Sequence, residues 1–325
     1  LTRRASAASL GGAGLLAAAP RAFAAGPTWR LASAWPEGNF QTLTTQIFAD
    51  DFAMAMNGKQ AIEVYSNGSL FPLDQIAGAV GSGQVEMGEL LFAWMGGQLP
   101  VAEADSIPFL AVGYDEAREL WRASRNVFAS AFARLNLIPI YAVPWPPVGL
   151  FSRYPVTEAA DLSGRRFLAT SAVTERFAIL VGAQPVRLTP AQAIDGYNQG
   201  LFDAAFVPAV EGFGGALVPP VYYYDVGAWV PKNGVVMNKA LYEAQPTSTQ
   251  EILIAAGERA EASGWAASQQ EYANRVALLR GMGVTVETPS PDLRASLRDV
   301  GTQLAIDWLG RAGRDGEDLL RQYRS

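Results

Sequence analysis

Two short segments near the middle of the chain constrain its fold more than any other part of the sequence. Residues 161–169 read DLSGRRFLA, and residues 200–207 read GLFDAAFV. In each segment a turn that contains Gly leads into an apolar run, which is typical of a loop entering a β-strand. Residues 173–180, between the two segments, have a helical pattern. The alternation of strand and helix predicts an α/β fold with parallel strands.

The same alternation covers most of the chain, whose 325 residues suffice for two lobes of ordinary domain size. We expect lobe I at residues 25–145, with a return of the chain from the C-terminal region, and lobe II at residues 146–240. Residues 241–325 are expected to form helices that pack across both lobes. The stiff segment Pro144-Trp145-Pro146-Pro147 is the expected crossing between the lobes. The predicted helices are 42–56, 73–82, 114–135, 173–180, 190–198, 247–279 and 293–323, and the predicted strands include 28–34, 61–65, 85–91, 138–143, 186–188 and 235–238.

The first 24 residues carry the three parts of an export signal. Arg3 and Arg4 precede a weakly hydrophobic, Ala-rich stretch at residues 5–19, and Ala22-Phe23-Ala24 resembles a cleavage site. Paired arginines in this position indicate twin-arginine export. The hydrophobic stretch is too short to form a stable transmembrane helix. We therefore expect a signal peptide at residues 1–24 and a periplasmic protein that is not embedded in the membrane.

The chain contains no His and no Cys. Thiol nucleophiles, Ser-His-Asp triads, disulfides and the usual zinc and haem ligands are therefore excluded. The sequence also has no glycine-rich dinucleotide loop, no HExxH and no nucleophile elbow. A formal charge of −6 argues against a nucleic-acid partner. We expect a binding protein with no catalysis and no cofactor. An exported enzyme is the alternative, because twin-arginine export often serves proteins that fold around a cofactor.

Six segments of the chain resemble the solute receptors of TRAP (tripartite ATP-independent periplasmic) transporters, the DctP-like family. They follow the family's order and are residues 62–70, 83–88, 161–164, 180–186, 200–204 and 224–239. The resemblance implies a two-lobed periplasmic binding protein, type II-like, with open mixed sheets, hinge strands and long C-terminal helices. Such a receptor closes on a small organic solute and delivers it to a TRAP membrane permease. The receptor of an ABC importer shares the two-lobed plan and is an alternative.

Two positions depart from the family's usual pattern. Most DctP-like receptors have an arginine four residues after the glycine of Asp-Leu-x-Gly, and its guanidinium grips a ligand carboxylate. That position is Leu168 in this chain, and Val207 stands where many relatives have Asn. The hypothesis that follows is a neutral, aromatic or amine ligand. The alternative is a carboxylic acid held by Arg165 or Arg166.

The candidate site lies where the predicted strands end, because ligands of open α/β sheets bind at the carboxyl ends of strands. Aromatic residues near these ends are candidate walls for a cation or a flat ring, although each one is also explained by burial in the core. Glu89 and Glu211 are candidate partners for an amine. The candidate ligand-binding residues are Trp35, Glu89, Phe92, Trp94, Trp145, Arg166, Leu168, Thr170, Phe206, Val207, Glu211 and Trp229.

Overall fold

The computed structural model describes residues 28–188, 190–208 and 221–325. The predicted signal peptide at residues 1–24 lies outside this part of the chain. The strands, in chain order, are β1 (Thr28–Ala32), β2 (Ala61–Tyr65), β3 (Met87–Leu91), β4 (Leu137–Pro144), β5 (Val148–Ser152), β6 (Arg166–Ala169), β7 (Gln184–Arg187), β8 (Ala204–Pro208), β9 (Tyr222–Tyr224), β10 (Lys232–Asn238) and β11 (Thr285–Glu287). The α-helices are α1 (Phe40–Ala55), α2 (Leu73–Gly81), α3 (Gly113–Ala133), α4 (Ala172–Leu180), α5 (Pro190–Asn198), α6 (Lys239–Glu243), α7 (Thr247–Gly281) and α8 (Pro291–Tyr323).

The first sheet, which we call lobe I together with its helices, has the strand order β2-β1-β3-β10-β4. Strand β1 runs parallel to β2 and β3, whereas β10 pairs antiparallel with both β3 and β4. The prediction that residues 146–240 all belong to lobe II is therefore wrong for β10. Its backbone hydrogen bonds tie it to the sheet of lobe I.

The second sheet, lobe II, has the order β11-β9-β5-β8-β6-β7. Strands β6, β7 and β8 are mutually parallel, as the alternation of strand and helix predicts. Strand β5 pairs antiparallel with β8 and with β9, so the sheet is mixed. The architecture is the two-lobed α/β fold with mixed sheets and long C-terminal helices that the sequence predicts.

Helix α1 shows how local sequence sets the helix boundaries. It begins at the N-cap Asn39, whose side-chain oxygen accepts a hydrogen bond from the backbone N–H of Gln41. Its buried face includes Phe48 and Phe52, which pack on the sheet of lobe I together with residues of α7. Helix α7 approaches β4 closely because Gly264 has no side chain; a Cβ there would lie 2.5 Å from the Val143 side chain.

Helix α7 leads from lobe I to β11 of lobe II, and two extended crossings, which we call the hinge, also join the lobes. The first extended crossing runs from Pro144 at the end of β4 to Val148 at the start of β5. The second is the segment that enters β10. The two are hydrogen bonded, because Trp145 N donates to Pro231 O at 2.7 Å and Val148 N donates to Trp229 O at 3.0 Å. The hinge is therefore a short two-stranded ribbon.

Helix α8 makes ion pairs with both lobes. Arg311 on this helix pairs with Glu103 of lobe I at 2.5 Å, and Asp307 pairs with Arg176 of lobe II at 2.7 Å. Across the described ranges, no helix combines the length and the apolar composition needed to cross a membrane.

Candidate functional site

The carboxyl ends of the strands of both lobes lie at the hinge. Leu91, the last residue of β3, pairs with Asn233 near the start of β10. In lobe II, Pro208 at the end of β8 pairs with Val148 at the start of β5. We call the space bordered by these strand ends and the hinge the cleft. It is where an open α/β sheet offers a ligand site.

Three aromatic side chains of lobe I meet at the hinge, and we call them the aromatic corner: Trp35, Phe40 and Trp145. The ring of Trp145 meets Trp35 edge-on, with centroids 5.0 Å apart, and meets Phe40 edge-on at 5.3 Å. Trp145 is buried, whereas Trp35 and Phe40 are half-buried. The corner therefore keeps aromatic surface accessible next to the strand ends.

Local sequence places these three residues. Trp35 follows β1, and its carbonyl accepts a hydrogen bond from Asn67 N at 2.9 Å, which anchors it to the turn after β2. Phe40 is the first residue of α1. Trp145 is fixed between two prolines, which restrict the backbone of the hinge.

A chain of buried hydrogen bonds fixes the ring of Trp145, and we call it the buried relay. Trp145 Nε1 donates to Asn233 Oδ1 at 2.9 Å, and Asn233 Nδ2 donates to Glu89 Oε1 at 2.7 Å. Ser33 Oγ donates to Glu89 Oε2 at 2.7 Å. Each residue of the relay is buried. The relay links the end of β1, the middle of β3 and the hinge.

Glu89 is the electrostatic centre of the relay. It is 1% exposed, and within the described ranges no Lys or Arg forms an ion pair with it. Burial raises the pKa of Glu89 above its ordinary value, and hydrogen bonds from Ser33, Asn233 and Thr45 offset part of this effect. Removing the proton leaves a buried charge without a cation, so the neutral form is favoured by its surroundings.

Two polar atoms near the corner are buried and have no hydrogen-bond partner among the residues that the structure describes. One is Trp35 Nε1, and the other is Thr42 Oγ1 in the first turn of α1. Buried N–H and O–H groups are nearly always paired in folded proteins. An unpaired indole N–H beside the cleft is a donor that a ligand acceptor can satisfy.

The two positions that depart from the family pattern lie on one apolar face of lobe II. Leu168 is 2% exposed and belongs to a buried cluster with Phe151 and Tyr223. Val207 is half-buried and packs against the same cluster. Neither residue offers a polar group to the cleft.

Arg165 and Arg166 precede Leu168 and are engaged by other side chains. Arg166 Nε and Nη2 donate to the two carboxylate oxygens of Asp203 at 3.0 and 2.6 Å. Burial acts to raise the pKa of Asp203, but the hydrogen bonds from Arg166 outweigh it, and the pKa is lowered. The Arg165 guanidinium lies 4.2 Å from the centre of the Tyr154 ring. Both arginine side chains therefore make contacts near the amino end of β6.

Other candidates take different positions. Phe206 is buried against Phe177, with ring centroids 4.6 Å apart, and contacts the half-buried Trp229 at 5.3 Å. Phe92 is fully buried in the core of lobe I, where it packs against Phe128. Phe92 therefore faces the core and not the cleft. The sequence does not reveal this, because it does not show to which face of the sheet the residue after β3 points.

The remaining candidates are polar or exposed. Trp94 is 64% exposed and borders a cavity of about 170 Å³ between α2 and the end of β3. Thr170 is exposed, and its backbone N–H donates to Thr174 Oγ1 at the start of α4. Glu211 lies outside the described residues.

The structure thus brings Trp35, Glu89 and Trp145 together at the hinge. Sequence reasoning missed their partners Ser33, Phe40 and Asn233. Asn233 had a signal, since it ends the Ala-Trp-Val-Pro-Lys-Asn segment of the family resemblance. No sequence pattern singles out Ser33 or Phe40.

Comparison with known proteins adds to this geometry. The profile of the family described as bacterial extracellular solute-binding protein, family 7 (DctP) matches residues 31–307. Two Bordetella pertussis extracytoplasmic solute receptors that bind pyroglutamic acid have similar structures. DctP6 is 33% identical, with a TM-score of 0.79 over 91% of this chain and 99% of that one. DctP7 is 32% identical, with a TM-score of 0.78 over 92% and 99%. A marine metagenome TRAP solute-binding protein specific for pyroglutamate is 29% identical, with a TM-score of 0.77 over 91% and 98%.

Proposed function

Since this chain belongs to the DctP family of bacterial extracellular solute-binding proteins, we propose that it is the receptor of a TRAP transporter and delivers a small organic solute to the membrane permease. The family match confirms the resemblance found in the sequence. It favours a TRAP receptor over the receptor of an ABC importer. The family consists of solute receptors, which supports binding without catalysis.

The ligand proposal depends mainly on the aromatic corner, whose Trp145 ring is held by the hydrogen bonds of the buried relay. A fixed Trp145 and the accessible faces of Trp35 and Phe40 suit a small, flat or cyclic ligand. The unpaired Trp35 N–H suits a ligand that carries an acceptor oxygen. We propose that the ligand is a small cyclic amide or a related ring compound. The similarity to three receptors that bind pyroglutamate supports this class and makes pyroglutamate the first compound to test.

The charges support recognition without a guanidinium grip. Leu168 is buried, and Arg166 already makes two hydrogen bonds to Asp203. Drawing Arg166 into the cleft would leave the buried Asp203 carboxylate without its partner, which is unfavourable. The undescribed residues 209–220 contain no Lys and no Arg. The geometry therefore disfavours the alternative of a carboxylate held by Arg165 or Arg166, and we propose that neutral donors and aromatic faces hold the ligand.

The hinge supplies the mechanism of capture. A ligand that contacts strand ends of both lobes binds the closed form better than the open form, and this difference shifts the equilibrium towards closure. The closed form then presents one surface to the permease. We propose that export through the twin-arginine signal places the receptor in the periplasm, where this delivery occurs.

A binding screen of the purified protein tests the proposal. Pyroglutamate and orotate represent ring amides that also carry a carboxylate, and 2-pyrrolidinone is a ring amide without one. Succinate represents acyclic acids, and choline represents cations. Binding to the folded state stabilises it by about 2.7 kcal/mol at a hundredfold excess over Kd, so thermal shift detects a ligand. We expect stabilisation by a ring amide and none by succinate. A response to succinate alone would mean that a cation has entered the cleft. Recovery of unchanged ligand distinguishes a receptor from an enzyme.

A further inference from the structure

Phe109 is a bulky residue whose backbone lies in the left-handed region. It lies between the 3-10 turn Pro100–Ser106 and α3, and its φ is +63°. The other non-glycine residues of the described ranges that have a positive φ are all Asn, which tolerates this region. For a bulky residue a positive φ is an outlier, which persists only where the surroundings enforce it.

The side chain of Phe109 reaches from lobe I into lobe II. Its ring centre lies 5.9 Å from that of Phe206 on β8 and 6.3 Å from that of Phe177 on α4. Phe206 in turn contacts the Trp229 ring in the hinge segment at 5.3 Å. Phe109 is buried and belongs to a hydrophobic cluster that contains core residues of both lobes. Its ring is therefore a side-chain link between the lobes, in addition to the backbone crossings.

Two close contacts hold the backbone of Phe109 in this conformation. Its N–H donates to Ala228 O, in the crossing that enters β10, at 2.6 Å. Helix α8 approaches from another side because Gly301 has no side chain; a Cβ there would lie 2.6 Å from Phe109 Cβ. Four residues after Phe109, Gly113 N donates to Gly227 O at 3.1 Å. The loop is thus fastened to the hinge and packed against α8, which enforces the unfavourable φ.

The left-handed backbone lets one residue make both connections. Rotating φ into the usual negative range would break the hydrogen bond to Ala228 or turn the ring out of its contacts with Phe177 and Phe206. Glycine adopts a positive φ without strain but brings no ring to lobe II. Backbone outliers of this kind cluster at ligand clamps and switch regions. The strain at Phe109 is therefore associated with the junction of the lobes.

We propose that Phe109 is a positioning residue, an interlobe pivot whose ring holds lobe II in the orientation that lets both lobes contact one ligand. This inference rests on the proposed function, because it assumes a ligand that the two lobes bind together. The buried ring acts through the orientation of the lobes and not by touching the ligand. If the lobes lose this orientation, a smaller fraction of the molecules is competent to bind, and the apparent Kd rises by the same factor for every ligand.

Phe-to-Leu substitutions at two buried positions test the pivot. F109L shortens the ring that joins the lobes. F128L is the matched control, because Phe128 is also buried but packs against Phe92 and Phe132 within lobe I. F109A and F109G remove the ring completely and differ in whether they tolerate a positive φ. The measurements are the radius of gyration of the ligand-free protein by X-ray scattering, the Kd for pyroglutamate and for 2-pyrrolidinone, and the melting temperature.

We expect F109L and F109A to increase the radius of gyration and to weaken binding of both compounds by one common factor, about threefold or more for F109A. F128L should lower the melting temperature but leave the radius of gyration and both affinities unchanged. F109G should melt at least as high as F109A, because glycine adopts the left-handed backbone without strain. If F109A does not fold, the milder pair F109L and F128L makes the same comparison.

The contrary outcomes separate the pivot from the proposed function. If F109L melts lower but keeps the wild-type radius of gyration and both affinities, as F128L should, then Phe109 is an ordinary core residue and the receptor stands. Unequal losses for the two compounds would also overturn the pivot, because they would place Phe109 in contact with the ligand. F109G that melts below F109A would contradict the strain on which the assignment depends. If the wild type binds neither compound, the proposed ligand class is wrong, and the radius of gyration, which needs no ligand, still decides whether Phe109 orients the lobes.

Discussion

Replacing Trp145 with Phe tests whether the buried relay fixes the aromatic corner. The change removes the indole N–H that donates to Asn233 Oδ1 at 2.9 Å and leaves that oxygen, on a residue 1% exposed, without its donor. An unsatisfied buried acceptor costs about 1–3 kcal/mol. The smaller ring also weakens two edge-on contacts, to Trp35 and Phe40, each worth about 0.5–1.5 kcal/mol. Because a phenyl ring retains part of these contacts, we expect a loss of about 2–4 kcal/mol in the free energy of unfolding.

Urea unfolding of the ligand-free protein measures this loss. Trp94→Phe is the matched control, because Trp94 is 64% exposed and the same substitution there should change stability by about 0.5 kcal/mol or less. Trp145→Phe should also weaken pyroglutamate binding about tenfold, which corresponds to about 1.4 kcal/mol.

The reasoning would be refuted if Trp145→Phe unfolds at the same urea concentration as Trp94→Phe. In that case the hydrogen bond to Asn233 would contribute nothing net, and the ring would be held by the hinge backbone alone. If the variant loses stability but binds pyroglutamate normally, the relay stabilises the fold and the aromatic corner is not part of the ligand site.

Three further predictions concern two charged residues, Glu89 and Arg166, and Leu168, which differs from the usual family arginine. Because burial raises the pKa of Glu89, the folded protein retains a proton that the unfolded chain releases; stability should fall as pH rises above the unfolded value, and Glu89→Gln should abolish that fall in urea titrations at a series of pH values. Arg166→Ala should lower the melting temperature by removing the partner of Asp203 but change ligand affinity less than twofold, and a large loss of affinity would place Arg166 in the site. Leu168→Arg should lower the free energy of unfolding by about 3 kcal/mol or more, because it buries an unpaired charge; a folded variant that gains affinity for succinate would show that this position faces the cleft.

Local sequence signals predict the order of elements well because they act over a few residues. The Asn39 cap and the periodic apolar residues after it place α1, and the turn at Asp161 places the entry to β6. There the Asp161 carboxylate accepts hydrogen bonds from the backbone N–H groups of Thr157 and Glu158. The same signals fail for β5. Its residues are buried on both faces, so Val148–Ser152 shows no alternation of apolar and polar residues that would mark a strand.

The candidate site is predicted less completely because its contacts are remote in sequence. Glu89 and Asn233 are 144 residues apart, and their hydrogen bond exists only because β3 and β10 are neighbours in the sheet. The sequence marks Glu89 as an acid at the end of an apolar strand, but its partners follow from the strand order. Phe92, one residue past β3, illustrates the same limit, since only the fold decides whether it faces the core or the cleft.

The unpaired groups near the cleft support a ligand-directed interpretation of the whole site. Trp35 Nε1 in lobe I is buried without a hydrogen-bond partner among the described residues, and no Lys or Arg of the described ranges forms an ion pair with the buried Glu89. The unpaired indole N–H destabilises the ligand-free fold, and Trp35→Phe would remove that penalty. Departures from local consistency are expected where function requires them. An unpaired donor beside the hinge supports the proposal that an acceptor-bearing ligand pairs with Trp35 Nε1 when the lobes close.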